Sequence, residues 1–359
     1  MIVQSFRLGQ RLKNISASLS LMIAIATIYA ALPYSRRFFS DHVHFMGEDL
    51  TRSRVLLVVA LVYMVLLVLF YLSEPSPGVS KSVLCLRALK RLLASPQVAW
   101  RGGLSKDERL GLLSVLLKGF FAPLMVVSVL YYSGQTLVHG NGIVSTWGQP
   151  GTDWLALFNT HGFWFAFMLI FTVDVLFFSL GYLTDLPALK NEIRSVDPTL
   201  LGWAAALACY PPFNGLTAMI FGGRFYEEFP QFDMTTVHVV ANVILLALLA
   251  VYAWAAVALN FKASNLCHRG IVANGPYRFV RHPSYVCKNV AWWIGLIPPI
   301  CAAAQVSLPG AVAMAGSMLG WSVIYYIRAL TEEDHLRSVD DEYDGYCQKV
   351  KYRFVPGVI

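Results

Sequence analysis

The sequence predicts an all-α integral membrane protein with about eight transmembrane helices and both termini in the cytoplasm. Three observations carry that expectation: an apolar composition, apolar blocks of one recurrent length, and lopsided placement of basic residues. Hydrophobic residues make up 57% of the 359 and charged residues only 14%, against about 45–50% and 25% in soluble domains. The apolar residues fall in blocks of about twenty, the length a helix rising 1.5 Å per residue needs to cross roughly 30 Å of hydrocarbon. An outer-membrane barrel would show ten-residue alternating segments instead.

The blocks lie near 15–33, 55–73, 111–132, 154–183, 200–221, 236–259, 286–304 and 309–328. Of the lysines and arginines, 21 fall in one alternate set of connections and 5 in the other. Positive residues concentrate inside, which puts both termini and the segments 260–285 and 331–343 on the cytoplasmic face. Arg7, Arg11 and Lys13 precede an apolar run too long for a signal peptide, so the first block reads as an uncleaved span. Between the second and third blocks, residues 82–95 carry apolar residues at helical spacing with Arg87, Lys90 and Arg91. That pattern predicts a helix lying in the membrane interface. The chain is expected to divide into an N-terminal transmembrane region, 1–198, and a C-terminal catalytic region, 199–359.

Composition also excludes several classes. The net charge of +7 is scattered beside spans, where it reads as a topology signal and not as a nucleic-acid footprint. Six cysteines occur without any C-x-x-C pair, which fits neither a disulfide framework nor a metal site. Ionisable residues at bilayer depth face a protein interior or a wet cavity. Asp174 is the deepest of them and reads as helix glue through a pair with Lys118 of the preceding span, while His238 and Asn242, four apart on one helix face, read as a hydrogen-bonding packing pair. Pro211-Pro212 removes backbone donors in the fifth block, so that helix must kink or unwind.

The chemistry concentrates after Asn265. Asn265, His268, Arg269, Asn274, Tyr277, Arg278, Arg281, His282, Tyr285, Lys288 and Asn289 fall within 25 residues, far more polar binding groups than a connecting loop needs. Gly275-Pro276 sets a turn, and Pro283 stands where the next helix begins, with Arg281 and His282 just before it. The first-turn N–H groups of that helix favour an anion. Arg328 followed by Glu332-Glu333-Asp334 brings carboxylates to the same face across a two-span hairpin.

The run Asn274-Gly275-Pro276-Tyr277-Arg278-Phe279-Val280-Arg281-His282-Pro283-Ser284-Tyr285, with Arg328-x-x-x-Glu332-Glu333 and Glu342-Tyr343-x-x-Tyr346, resembles the isoprenylcysteine carboxyl methyltransferase and phospholipid methyltransferase superfamily over about the last 100 residues. The resemblance implies S-adenosylmethionine as cofactor, held at Gly275, Tyr277, Arg281, His282, Pro283, Tyr285, Glu332 and Glu333. Arg281, Arg328, Glu332 and Glu333 are the expected catalytic set. An arginine suits a carboxylate acceptor, and Glu332 or Glu333 is the candidate base for an amine. Asn265, His268 and Arg269 are the expected acceptor contacts, the acceptor being a membrane-embedded lipid or isoprenoid-linked molecule. Two departures, Cys287 with Lys288 where the family favours glycine and Val339-Asp340-Asp341 in place of Phe-Gly, suggest a divergent branch with its own acceptor. Membrane sterol reductases, which use NADPH, have a similar C-terminus and supply the rival enzymatic reading. A non-enzymatic membrane or transport protein that keeps the motif as scaffold is the third.

Overall fold

A computed structural model describes residues 2–45, 47–97, 103–223 and 225–358. Among them, seven helices are long and apolar enough to cross a membrane. The chain divides into two compact units, Met1–Tyr131 and Tyr132–Ile359.

The first unit holds α1 (Ile2–Ala31), α2 (Pro33–Ser40), a hairpin of β1 (His42–Phe45) and β2 (Glu48–Thr51), α3 (Arg52–Ser73), α4 (Lys81–Ala94) and the first part of α5 (Lys106–Thr146). Helix α4 is the amphipathic segment expected from the sequence: Cys85 and Ala88 are buried while Arg87, Lys90 and Arg91 are exposed. Ser80 caps it by accepting from the Val83 N–H. Asn14 and Ser18 of α1 tie its start down through Gly78 O, the Ser80 N–H and the Ser82 hydroxyl.

The second unit holds the end of α5, then α6 (Trp154–Leu183), α7 (Leu200–Leu207), α8 (Phe213–Phe221), α9 (Thr235–Leu259), α10 (Pro283–Val306), α11 (Leu308–Val339) and α12 (Glu342–Lys349). Helix α9 packs between α6 and α10, burying Phe163, Phe167, Leu245, Leu249 and Ala291 in one core. The α10–α11 hairpin closes over Trp292, Leu296, Met318 and Tyr325. The fifth apolar block, 200–221, is not one helix. Between α7 and α8, Pro211 and Pro212 withhold the backbone donors a continuous helix would need, and Thr217 Oγ1 donates to Ala208 O across the break.

Polar groups within the spans act as glue, as expected, with Tyr252 in place of Lys118 as the hydrogen-bond partner of Asp174. Asp174 Oδ2 of α6 accepts from Tyr252 Oη of α9 at 2.6 Å. Asn242 Nδ2 donates to His238 O and Pro230 O, and His238 Nε2 meets Asn159 Oδ1 at 3.1 Å.

One end of this unit is built from connections. The two-residue strands β3 (Ser195–Val196) and β4 (Cys267–His268) pair antiparallel. Arg269, buried, caps the C-terminal end of α6 by donating to Gly181 O and Thr184 O, carbonyls that the helix end leaves open, and it also donates to Asn191 O in the loop that follows. These links tie residues 154–198 to the C-terminal elements, so the expected boundary after 198 falls inside one compact unit. A Cβ at Gly181 would lie 1.9 Å from Ala263 O, so only glycine admits this loop.

Gly181→Val should therefore lower the thermal midpoint of the purified protein, with a loss of roughly 2–3 kcal/mol for overpacking against backbone. Gly316→Ala, where nothing lies within 4 Å, should leave it unchanged. Equal midpoints for the two variants would show that the contact does not constrain the fold.

Candidate active site

The turn before α10 is held by the C-terminal tail. The Arg281 and His282 N–H groups donate to Tyr352 O and Arg353 O, each at 3.0 Å. The Arg281 guanidinium reaches Val350 O and Lys351 O. Beneath this zipper lies the wholly buried carboxylate of Glu333. Its Oε1 accepts from Arg281 Nε and Arg353 Nε, each at 2.9 Å, and meets His282 Nε2 at 3.2 Å. Its Oε2 accepts from Arg353 Nη2 at 2.9 Å and Arg337 Nη2 at 3.3 Å. A buried carboxylate needs such partners to offset its desolvation, and the Glu333 hydrogen bonds hold Arg353 in its charged form.

Glu332, one residue earlier, points to a different wall. Adjacent helical residues project about 100° apart, so one carboxylate enters the tail clamp and the other enters a cavity. Glu332 lines that cavity with Tyr277, His282, Tyr285, Asn265 and Arg328. Tyr285 Oη donates to Glu332 Oε1. His282 stacks on Tyr285, with centroids 5.3 Å apart and planes at 15°, and its Nδ1 lies 3.7 Å from Glu332 Oε2. His282 thus bridges the two carboxylates. Burial pushes the Tyr277 phenol well above its ordinary range, which keeps it a neutral hydrogen-bonding group on the wall.

Arg328 forms another part of the cavity wall. Its guanidinium lies over the Tyr285 and Tyr325 rings at 5.0 and 5.2 Å, and Nη2 donates to Asn265 Oδ1 at 2.8 Å. Glu332 Oε1 stands 3.9 Å from it. The Arg328 Nε–H is buried without a hydrogen-bond partner. Asn265 is fixed in turn by donating through Nδ2 to the hydroxyls of Tyr182 and Tyr210.

The structure thus brings Tyr277, Arg281, His282, Tyr285, Arg328, Glu332 and Asn265 together. The other expected site residues sit differently. Gly275, at φ +55°, packs where a Cβ would strike Ala258 of α9, and Pro283 is buried in the first turn of α10. Glu333 serves the clamp; Arg269 borders the cavity with its Nη groups on backbone carbonyls and its Nε on Ser264 Oγ. His268 approaches Asp340 at 2.8 Å; burial, Arg194 and Lys262 together push its pKa down against the pull of Asp340. Arg353, Tyr210 and Tyr325 were not singled out from the sequence. Tyr325 lies three residues before Arg328 on the same helix face, a spacing that could have flagged it. Arg353 is remote in sequence and carries no local signal.

Residues 234–338 match the isoprenylcysteine carboxyl methyltransferase (ICMT) family. A comparison with curated proteins finds no match. The ICMT segment runs from the start of α9 to the end of α11 and contains most of the cavity wall. ICMT is a methyltransferase family, which supports an enzyme.

The two adjacent carboxylates should separate by mutation. Glu333→Gln should cost on the order of 3 kcal/mol, read as a large drop in thermal midpoint, because it leaves buried cations without their partner. Glu332→Gln, on the cavity wall, should shift the midpoint little. Equal destabilisation by both would contradict the division of labour.

Proposed function

We propose that the protein is an S-adenosylmethionine-dependent methyltransferase acting on a membrane-embedded lipid or isoprenoid-linked carboxylate at the cytoplasmic face. The observation that carries this reading is that the ICMT segment coincides with a cavity whose wall offers a carboxylate, stacked aromatic rings and an arginine. The residues fit the cofactor. Glu332 with the His282 and Tyr285 faces suits a cationic sulfonium and ammonium. Tyr277 adds a neutral hydroxyl for polar groups.

Bound S-adenosylmethionine supplies an electrophilic methyl group on positively charged sulfur. The chain itself contributes position and charge. Glu332, held by Tyr285 and flanked by His282, fixes the cationic end. Arg328, locked by Asn265 and two tyrosine rings, supplies the positive charge that orients an acceptor oxygen. A carboxylate acceptor fits this arrangement because its oxygen is already nucleophilic and needs no base. Both candidate bases are otherwise engaged: Glu333 in the clamp, and Glu332 with Tyr285. The cytoplasmic placement rests on the asymmetry of basic residues, which collects the 260–285 and 328–353 segments on the positive side.

Calorimetric titration of the purified full-length protein tests this reading. S-adenosylmethionine should bind saturably and NADPH should not. Glu332→Gln should weaken cofactor binding roughly tenfold or more, the value of one charge-assisted hydrogen bond. Arg328→Lys, which keeps the charge and loses the planar fork, should leave cofactor affinity near wild type and raise the acceptor KM. Saturable NADPH binding without S-adenosylmethionine binding would transfer the site to the reductase class. Full cofactor affinity in a folded His282→Ala variant would favour a non-enzymatic scaffold.

A further inference from the structure

Beside the cavity, three cations converge without a counter-charge. Lys262 follows α9, Arg194 precedes β3, and Lys190 ends the turn after α6. The Arg194 N–H donates to His268 O at 2.9 Å, which brings Arg194 against the loop that carries Gly270. That glycine has φ +98°, and a Cβ there would lie 3.1 Å from Lys262 Nζ and 3.6 Å from Arg194 Cζ. Both charges therefore crowd one side of a residue that keeps the space open. Lys190 and Arg194 both act electrostatically on Lys262. Among the described residues, no ion pair joins any of the three to a carboxylate. Asp340, nearby, is engaged with His268.

Below these charges runs a groove. It is lined by Leu189, Ala258, Leu259, Phe261 and Ile271 among others, and it shares Leu259, Lys262, Ile271 and Val272 with the wall of the large cavity. Like charges held this close repel one another, and an anion relieves the repulsion. Apolar side chains leading away from a cationic cluster match a phosphate headed by acyl chains. Basic pockets between transmembrane helices on the cytoplasmic side take anionic headgroups for the same reason.

We propose that Arg194 and Lys262 form a binding site for the phosphate of an anionic phospholipid at the rim of the cavity, with the lipid's apolar part in the adjoining groove. This site stands on its own geometry, whichever molecule is methylated. It gives the protein a contact to the anionic leaflet next to the entrance of its reaction chamber.

Native mass spectrometry of the detergent-solubilised full-length protein with equimolar phosphatidylglycerol and phosphatidylcholine tests it. Phosphatidylglycerol should be retained preferentially. The Arg194→Gln/Lys262→Gln double variant should lose that preference by about tenfold, and Arg194→Lys/Lys262→Arg should keep it. Equal retention of the two lipids by the wild type would overturn the proposal, and that comparison needs no variant to fold. An undiminished preference in the glutamine variant, with its thermal midpoint intact, would overturn it too. Added inorganic phosphate should leave the retained lipid in place. Its displacement by millimolar phosphate would assign the cluster to a soluble phosphate compound and reject the lipid.

Discussion

One buried carboxylate organises the cavity end of the second unit. Glu333 is completely enclosed and meets Arg281, His282, Arg353 and Arg337. The four partners come from three stages of the chain: Arg281 and His282 from the turn before α10, Arg353 from the tail after α12, and Arg337 from α11 itself. Removing this anion would leave several cations at low exposure with only one another, an arrangement far less favourable than the paired one. The tail is thereby tied to the turn, the turn fixes the start of α10, and the start of α10 sets His282 and Tyr285 on the cavity wall. The geometry of the cavity end depends on a side chain that does not face the cavity.

The pairing also explains why two glutamates stand side by side. Helical geometry sends neighbours to different faces, so Glu332–Glu333 serves two environments from one stretch of backbone. His282 lies between them and couples them: Nε2 faces the structural carboxylate and Nδ1 faces the cavity carboxylate. Arg328, one turn earlier, completes the wall with aromatic stacking. The Glu332 carboxylate and the Arg328 guanidinium thus stand one helical turn apart on the same cavity wall. This pairing suits a charged cofactor beside a lipid-borne oxygen.

Most of the fold was legible because hydropathy and length are local properties. Seven of the eight apolar blocks are long helices. The block 200–221 is equally apolar, yet its prolines remove donors at mid-depth, and hydropathy does not register that. The site was legible where polar residues crowd a short stretch, as from Tyr277 to Tyr285 and from Arg328 to Glu333. What the sequence could not rank was direction. Glu333 and Glu332 look equivalent in a string of letters, and the buried one is the structural one. Arg269 stands at the cavity as the sequence suggested, but its bonds to Gly181 O and Thr184 O at the end of α6 are not written in its own segment. Arg353 was hidden by distance along the chain, since nothing near it indicates a partner some seventy residues earlier.

The central claim is that this membrane cavity moves a methyl group onto a lipid-borne acceptor. Membranes containing the protein, incubated with S-adenosylmethionine labelled in its methyl group and then extracted with organic solvent, test it most directly. The account predicts protein-dependent label in a lipid or prenylated molecule, released by mild alkali as expected of a methyl ester. Absence of label from every lipid fraction, in membranes where the protein is folded and binds the cofactor, would contradict it.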